Sequence, residues 1–119
     1  MDSRNLLVLW LVGQPSLRAV LRMNCHAALA SRIVTRVQLE PLSDRKLFLE
    51  FLAHGLKAAG AKSNLLSDSA AELLFRASHG VPRRAAGLLR DALTRAHEQN
   101  KSFVDDTLFE GVLDDGQEA

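Results

Sequence analysis

The sequence predicts a mainly α-helical chain, in which a short α/β segment with two strands precedes a small all-α bundle. Three observations carry this expectation. The unbroken apolar run LLVLWLVG, Leu6 to Gly13, reads as a strand covered on both faces, as in the middle of a parallel sheet. The stretch IVTRVQL, Ile33 to Leu39, alternates Ile33, Thr35, Val37 and Leu39 with Val34, Arg36 and Gln38, the signature of a strand with one wetter face. From Ser43 onward the apolar residues recur at helical spacing.

Taken in order, Gly13-Gln14-Pro15 turns the chain after the first run, and Ser16 is placed to cap a helix reaching about Asn24, with Leu17, Val20 and Leu21 on one face. A second short helix covers His26 to Ser31, and Pro41 closes the second strand. Ser43 is then expected to cap a helix from Asp44 to Ala59, with Leu47, Phe48, Phe51, Leu52, Leu56 and Ala59 on one side and Gly60 as its stop. Ser67 or Ser69 caps the next helix, whose apolar face is Leu73, Leu74 and Ala77 and whose terminator is Gly80. A third helix runs from Pro82 to about His97. A fourth starts near Asp105, where Val104 can staple against Phe109. The boundaries that follow are residues 1–42 for the α/β segment, 43–115 for the helical part and 116–119 for a frayed tail.

The totals narrow the function classes. Of 119 residues, 47 % are apolar and 24 % charged, ordinary for a folded cytoplasmic protein. The net charge of +1 supplies no bulk attraction to nucleic acid or to a membrane surface, so any basic function depends on local clustering. The single Cys25 excludes an internal disulfide and fits a reducing compartment. Its neighbour His26 is not joined by a second Cys, and His54, His79 and His97 are isolated, so no zinc-like ligand spacing exists. The first apolar run is too short to span a bilayer and is followed by a turn rather than a cleavage site. The expectation is a cytoplasmic chain with no metal site and no membrane insertion.

The arginines raise the one chemical question. In HGVPRRAAGLLRDAL, His79 to Leu93, a proline opens a helix and two arginines occupy its first turn, where the helix dipole disfavours cations. Ala85, Ala86, Leu89, Ala92, Leu93 and Ala96 form the apolar stripe, so Arg90 and Arg95 read as a solvated face. Arg83 is different: its position makes sense if an anion sits nearby, since helix N-termini and guanidinium groups both bind phosphate. Arg32 has two readings, a favourable cation at the end of a short helix, or a guanidinium offered to a neighbouring subunit's phosphate.

Three stretches together resemble a known family. LLVLWLVGQPSLRAVLRMNCHAALASRIVTRVQLEPLS resembles the part of AAA+ ATPases from the fourth core strand, through the arginine-finger helix, to the fifth strand. SDRKLFLEFLAHGLKAAGA resembles the first helix of the family's lid, and ASHGVPRRAAGLLRDAL its Gly-x-Pro-Arg signature. The order and spacing look most like the ExeA/TniB-like branch, ATPases associated with secretion or with DNA transposition. On this resemblance the fold is a partial P-loop α/β core followed by an all-α AAA+ lid. Gln14 corresponds to the polar sensor of the attacking water, and Arg32 to the arginine finger acting in trans. Pro82 and Arg83 correspond to the sensor-2 motif, whose arginine touches the nucleotide of its own subunit. Arg84 and Arg36 gain no role.

The departures from the family matter as much. Nothing reads G-x-x-x-x-G-K-[ST], so the phosphate cradle and its lysine are absent from this sequence. No apolar strand ends in the acidic pair that holds Mg²⁺; Asp105-Asp106 and Asp114-Asp115 lie among helix caps and the tail. The resemblance places those parts before Met1. It implies ATP and Mg²⁺ in the complete protein only, and none for this chain alone. It also deprives the two strands of their shared neighbour, so they either pair with each other or need another chain's edge.

The leading expectation is therefore a C-terminal portion of an AAA+ ATPase that contributes Arg32 and Arg83 to an oligomer and does not hydrolyse ATP alone. Its partners are copies of itself or a full-length subunit, and, through the parent protein, DNA or a transposition or secretion partner. The alternative is a stand-alone helical module that joins or blocks such an assembly. A third reading, a DNA-binding helical domain using Arg83, Arg84, Arg90 and Arg95, requires binding that weakens steeply with salt.

Overall fold

The computed structural model describes residues 7–61 and 64–118. It divides into two compact units, Met1–Gln38 and Leu39–Ala119.

In the first unit, α1 (Ser16–Leu21) is followed by a 3-10 turn at Asn24–His26 and by α2 (Ala27–Ser31). Pro15 rather than Ser16 is the N-cap of α1, and it makes no side-chain capping bond; Ser16 is already helical. The helix also stops at Leu21, short of Asn24, because the chain turns with Arg22 and Met23 amides bonded back to Ala19 and Val20.

Neither expected strand forms. Among the described residues no strand exists, and Leu7–Val12 and Ile33–Leu39 have no ladder partner. Leu6 lies outside the described residues. A strand is a property of two segments, and the neighbour that the AAA+ resemblance puts between these two is not in this sequence. The apolar side chains accordingly stand in the open: Trp10 is 80 % and Leu39 95 % exposed. The two-strand core is not part of the structure.

The second unit is a four-helix arrangement of α3 (Arg45–Ala58), α4 (Asp68–Ser78), α5 (Pro82–Glu98) and α6 (Asp106–Glu118). The last three pack on one another pairwise, and α3 lies on α4. Asp44, one residue beyond the expected Ser43, caps α3: its carboxylate accepts from the Leu47 amide at 3.0 Å. Ser67 caps α4 through the Ala70 amide at 3.0 Å, and Asp105 accepts from the Leu108 amide at 2.9 Å where α6 begins. Each cap satisfies a backbone donor that the helix itself leaves unpaired.

The buried side chains follow helical periodicity. Phe48 and Leu52 come from α3, Ala70 and Leu74 from α4, and Ala85, Ala92 and Ala96 from α5. Val104, Leu108, Phe109 and Val112 complete the core from α6 and the residue pair before it. The alanines of α5 let its axis run close to its neighbours, and the large rings fill the space left over. Phe48 meets Phe75 with ring centroids 5.1 Å apart, in a tilted geometry aromatic pairs favour. A parallel bridge joins Leu66 to Val104, with Val104 N donating to Leu65 O at 2.8 Å and Ser67 N to Val104 O at 3.1 Å, so the starts of α4 and α6 are tied together. The helix α6 continues through Gly116 to Glu118, where a frayed tail was expected. Among the described residues no helix is long and apolar enough to cross a membrane.

Candidate phosphate-facing turn

The turn between α4 and α5 sets the stage for Arg83. His79 ends α4 in the left-handed region (φ 52°) and Gly80 continues it (φ 72°). Ser78 beneath them is fully buried; its hydroxyl donates to Phe75 O at 3.1 Å and accepts from the Gly80 amide at 3.3 Å. Val81 N then donates to Ser78 O at 3.1 Å, and Val81 takes the extended conformation that precedes a helix. Its side chain cannot cap. Pro82 occupies the first helical position, where a missing N–H costs nothing.

Arg83 and Arg84 follow, both exposed, with no acidic residue in that first turn. Among the described residues neither forms an ion pair. The first amide to bond within the helix is that of Ala85, to Val81 O at 2.9 Å, so the Arg83 and Arg84 amides are left pointing out of the helix start. Two guanidinium groups and two backbone donors thus share one positive helix end. The arrangement can accept an anion, and phosphate suits both the fork of a guanidinium and the amides.

Arg32 sits elsewhere, at the end of α2. Its Nη1 donates to Ala28 O at 2.9 Å and its amide to Leu29 O at 3.0 Å, so in this structure it closes the helix from which it comes. Arg36 does the same through Nη2 to Ala30 O at 2.9 Å, and Ser31 Oγ also donates to Ala28 O. These are the carbonyls a helix leaves unpaired at its C-terminus. Arg32 remains exposed, and among the described residues its side chain makes no other bond. Gln14 lies just before α1, exposed, with its carbonyl accepting from the Leu17 amide at 2.9 Å. Gln14 and Arg32 belong to the first unit, Pro82 and Arg83 to the second.

The remaining arginines of α5 are accounted for on its surface. Arg95 Nη1 lies 2.6 Å from Asp115 Oδ2 on α6, and Arg90 is 3.5 Å from Asp91. Two carboxyls are held below their ordinary range. For Glu72 the main cause is the hydrogen bond from Arg45, with Arg76 adding to it; for Asp105 it is the Leu108 amide, then the Thr107 hydroxyl. Among the described residues, no group of three or more His, Cys, Asp or Glu is placed to hold a metal ion.

One feature went unread in the sequence. An open apolar groove of about 600 Å³ runs between α3 and α5, lined by Phe51, Leu56, Ala59, Ala86, Leu89 and Leu93 among others, with Arg90 and His97 also lining it. The pattern assigned those apolar residues to a core. The structure leaves Phe51 42 % exposed because α3 packs on α4 and is held away from α5 at this end.

Over 82 residues the chain is 35 % identical to "General secretion pathway protein A" of Aeromonas hydrophila. The matched region is 69 % of this chain but 15 % of that protein, so the chain spans a small part of the relative's length. No protein-family model matches the chain, and no solved structure matches it. The relation to this secretion-pathway protein agrees with the ExeA side of the resemblance that the three stretches carry together; nothing in it bears on DNA transposition.

Proposed function

We propose that this chain is the C-terminal part of an AAA+ ATPase core with its helical lid, and that it completes a nucleotide site whose phosphate cradle lies on another segment. Arg83, at the start of α5, binds the phosphates of the nucleotide held by its own subunit, with Pro82 presetting the helix start. Arg32 reaches the phosphate bound by an adjacent subunit, leaving the Ala28 carbonyl when it does so. Gln14 orients the attacking water. The oligomer so formed works in secretion or in DNA transposition.

The observation that carries this reading is a pair of cations held on a helix N-terminus without an acidic partner among the described residues, in a chain related to General secretion pathway protein A. Structural economy does not account for Arg83, since the dipole opposes it there. A phosphate does account for it.

The chain contains no P-loop, so hydrolysis requires one from elsewhere. The test adds this chain to an intact P-loop half from an ATPase of the same branch. ATPase activity should appear only in the mixture, and Arg32→Ala or Arg83→Ala should each abolish most of it. No activity in the mixture would remove the proposal.

The α3–α5 groove favours a second reading, an interaction module that joins or blocks an ATPase assembly. Excess chain should then inhibit a full-length ATPase without ever restoring activity to the isolated P-loop half.

A further inference from the structure

The groove between α3 and α5 combines an apolar lining with one sign of charge. Leu52 and Ala85 are buried at its base, and Phe51, Leu56, Leu89 and Leu93 form its walls. The ionisable side chains that line it are Arg90 and His97, two turns apart on α5, and among the described residues no carboxylate lines it. The acids of α5 face the other way: Asp91 and Glu98 line a separate hollow against α6, together with Arg95 and Asp115. Arg90 meets Asp91 at 3.5 Å in an exposed pair, which solvent keeps weak. An incoming carboxylate can take Arg90 from it at little cost to the fold.

Gly55 lies inside α3 on the groove side, and a glycine there weakens the helix. A Cβ at this position would meet nothing within 4 Å, so the fold itself has no need of the missing side chain. The glycine leaves the groove wall bare between Phe51 and Ala59, where a body from outside can come close to the backbone.

The walls also select the shape of an occupant. Both are helices whose backbone groups bond within the helix, so they offer no ladder to an extended strand. A strand laid there would bury unpaired amides and carbonyls, whereas a helix brings its own already satisfied. Between Ala85 and His97 the groove follows α5 for about 18 Å, room for about three helical turns. We propose that the α3–α5 groove docks an amphipathic helix of a partner protein. Its apolar residues, at i, i+3, i+4 and i+7, pack on Phe51, Leu56, Leu89 and Leu93, and carboxylates along its edge meet Arg90 and His97. Such docking supplies the interaction-module reading with a surface and a partner chemistry, and rests on that reading for its use. It involves neither Arg83 nor a nucleotide.

The test is a selection on the full chain from displayed peptides of about 14 residues, with leucine at i, i+3, i+4 and i+7 and with Glu, Gln or Lys drawn equally elsewhere. Selected peptides should favour Glu over Lys beside the leucines and should shift the amide signals of Gly55, Leu89 and Leu93. Gly55→Leu, which fills the groove from the α3 side, should weaken their binding at least about tenfold. Arg90→Glu should weaken Glu-rich peptides and turn the selection toward Lys. Peptides that bind a folded Gly55→Leu chain undiminished sit elsewhere, on the exposed run 7–12 for instance, and overturn the docking site. So does a selection with no preference between Glu and Lys, or one that enriches no peptide. If Gly55→Leu does not fold, the reversal in Arg90→Glu decides. Gly55→Leu chain that still inhibits a full-length ATPase would leave the interaction-module reading standing without this groove. ATPase complementation by the unaltered chain is independent of every one of these outcomes.

Discussion

Arg45 Nε lies 2.6 Å from Glu72 Oε2, joining the first turn of α3 to the middle of α4, while Arg76 approaches the other oxygen of the same carboxylate at 3.6 Å. One acid therefore serves two arginines, and its proton affinity falls below the ordinary value of 4.5, first through the Arg45 hydrogen bond. A lowered folded pKa means the native state binds fewer protons than the unfolded one. Its stabilisation is complete above pH 4.5 and is lost as pH falls through the lower folded value. Glu72→Gln should thus reduce stability at neutral pH and flatten the loss below pH 4.5. Acid-unfolding curves of the two proteins check this; parallel curves would contradict it.

The core makes a sharper prediction. Leu74 and Phe48 are fully buried, at the junction of α3 and α4 with the helices behind them. Leu74→Ala should cost about 2–5 kcal/mol and Phe48→Ala about 3–5 kcal/mol, the usual cost of lost transfer energy plus a cavity. Leu47, one residue from Phe48 but 54 % exposed, should tolerate alanine with a change of roughly half a kcal/mol or less. Urea denaturation midpoints separate the two classes.

His79 is a non-glycine residue in the left-handed region, at φ 52°, and it is exposed. That conformation brings Cβ close to the following carbonyl oxygen at about 1–2 kcal/mol for most residues. Replacing His79 with Gly should therefore stabilise the protein, by about 1 kcal/mol or less once the greater freedom of the unfolded chain is counted. Asn100 adopts a similar φ of 55° after α5, but its side chain is suited to that region, so Asn100→Gly should gain less. Paired thermal melts give the comparison.

How far the sequence could be read depended on whether a feature is local. The helices after Pro41 were legible because their signals lie within a few residues: Ser67 before an apolar stripe, Pro82 at a first position, Asp105 before Leu108 and Phe109. The shift of the α3 cap from Ser43 to Asp44 is a one-residue choice between two good acceptors. The apolar runs 6–12 and 33–39 carried a sound statement about hydrophobicity, but a strand also needs a neighbour, and no local pattern supplies one. The α3–α5 groove was illegible for the same reason. Phe51 and Leu89 look like core from spacing alone, and only the packing of α3 on α4 leaves them open. The Gly-x-Pro-Arg turn was legible as a helix start, with Pro82 at the first position and two cations after it, because that signal is local too.

Those two cations yield the prediction that separates function from stability at one residue. Arg83 and Arg84 both stand in the first turn of α5 with no acid beside them, where each opposes the helix dipole. Removing either charge should therefore stabilise the isolated chain slightly, by about 0.3–1 kcal/mol at low ionic strength, and the gain should shrink as salt screens it. A purely structural arginine would give the opposite sign on truncation. If Arg83 is the phosphate ligand, Arg83→Ala should stabilise the chain and still abolish most ATPase activity in the mixture with a P-loop half. Arg84→Ala should stabilise it equally and leave that activity largely intact. Thermal melts at low and high salt, read beside the complementation assay, give both signs. Loss of stability in Arg83→Ala would mean the guanidinium has a partner within the fold, and the phosphate would no longer be needed to explain it.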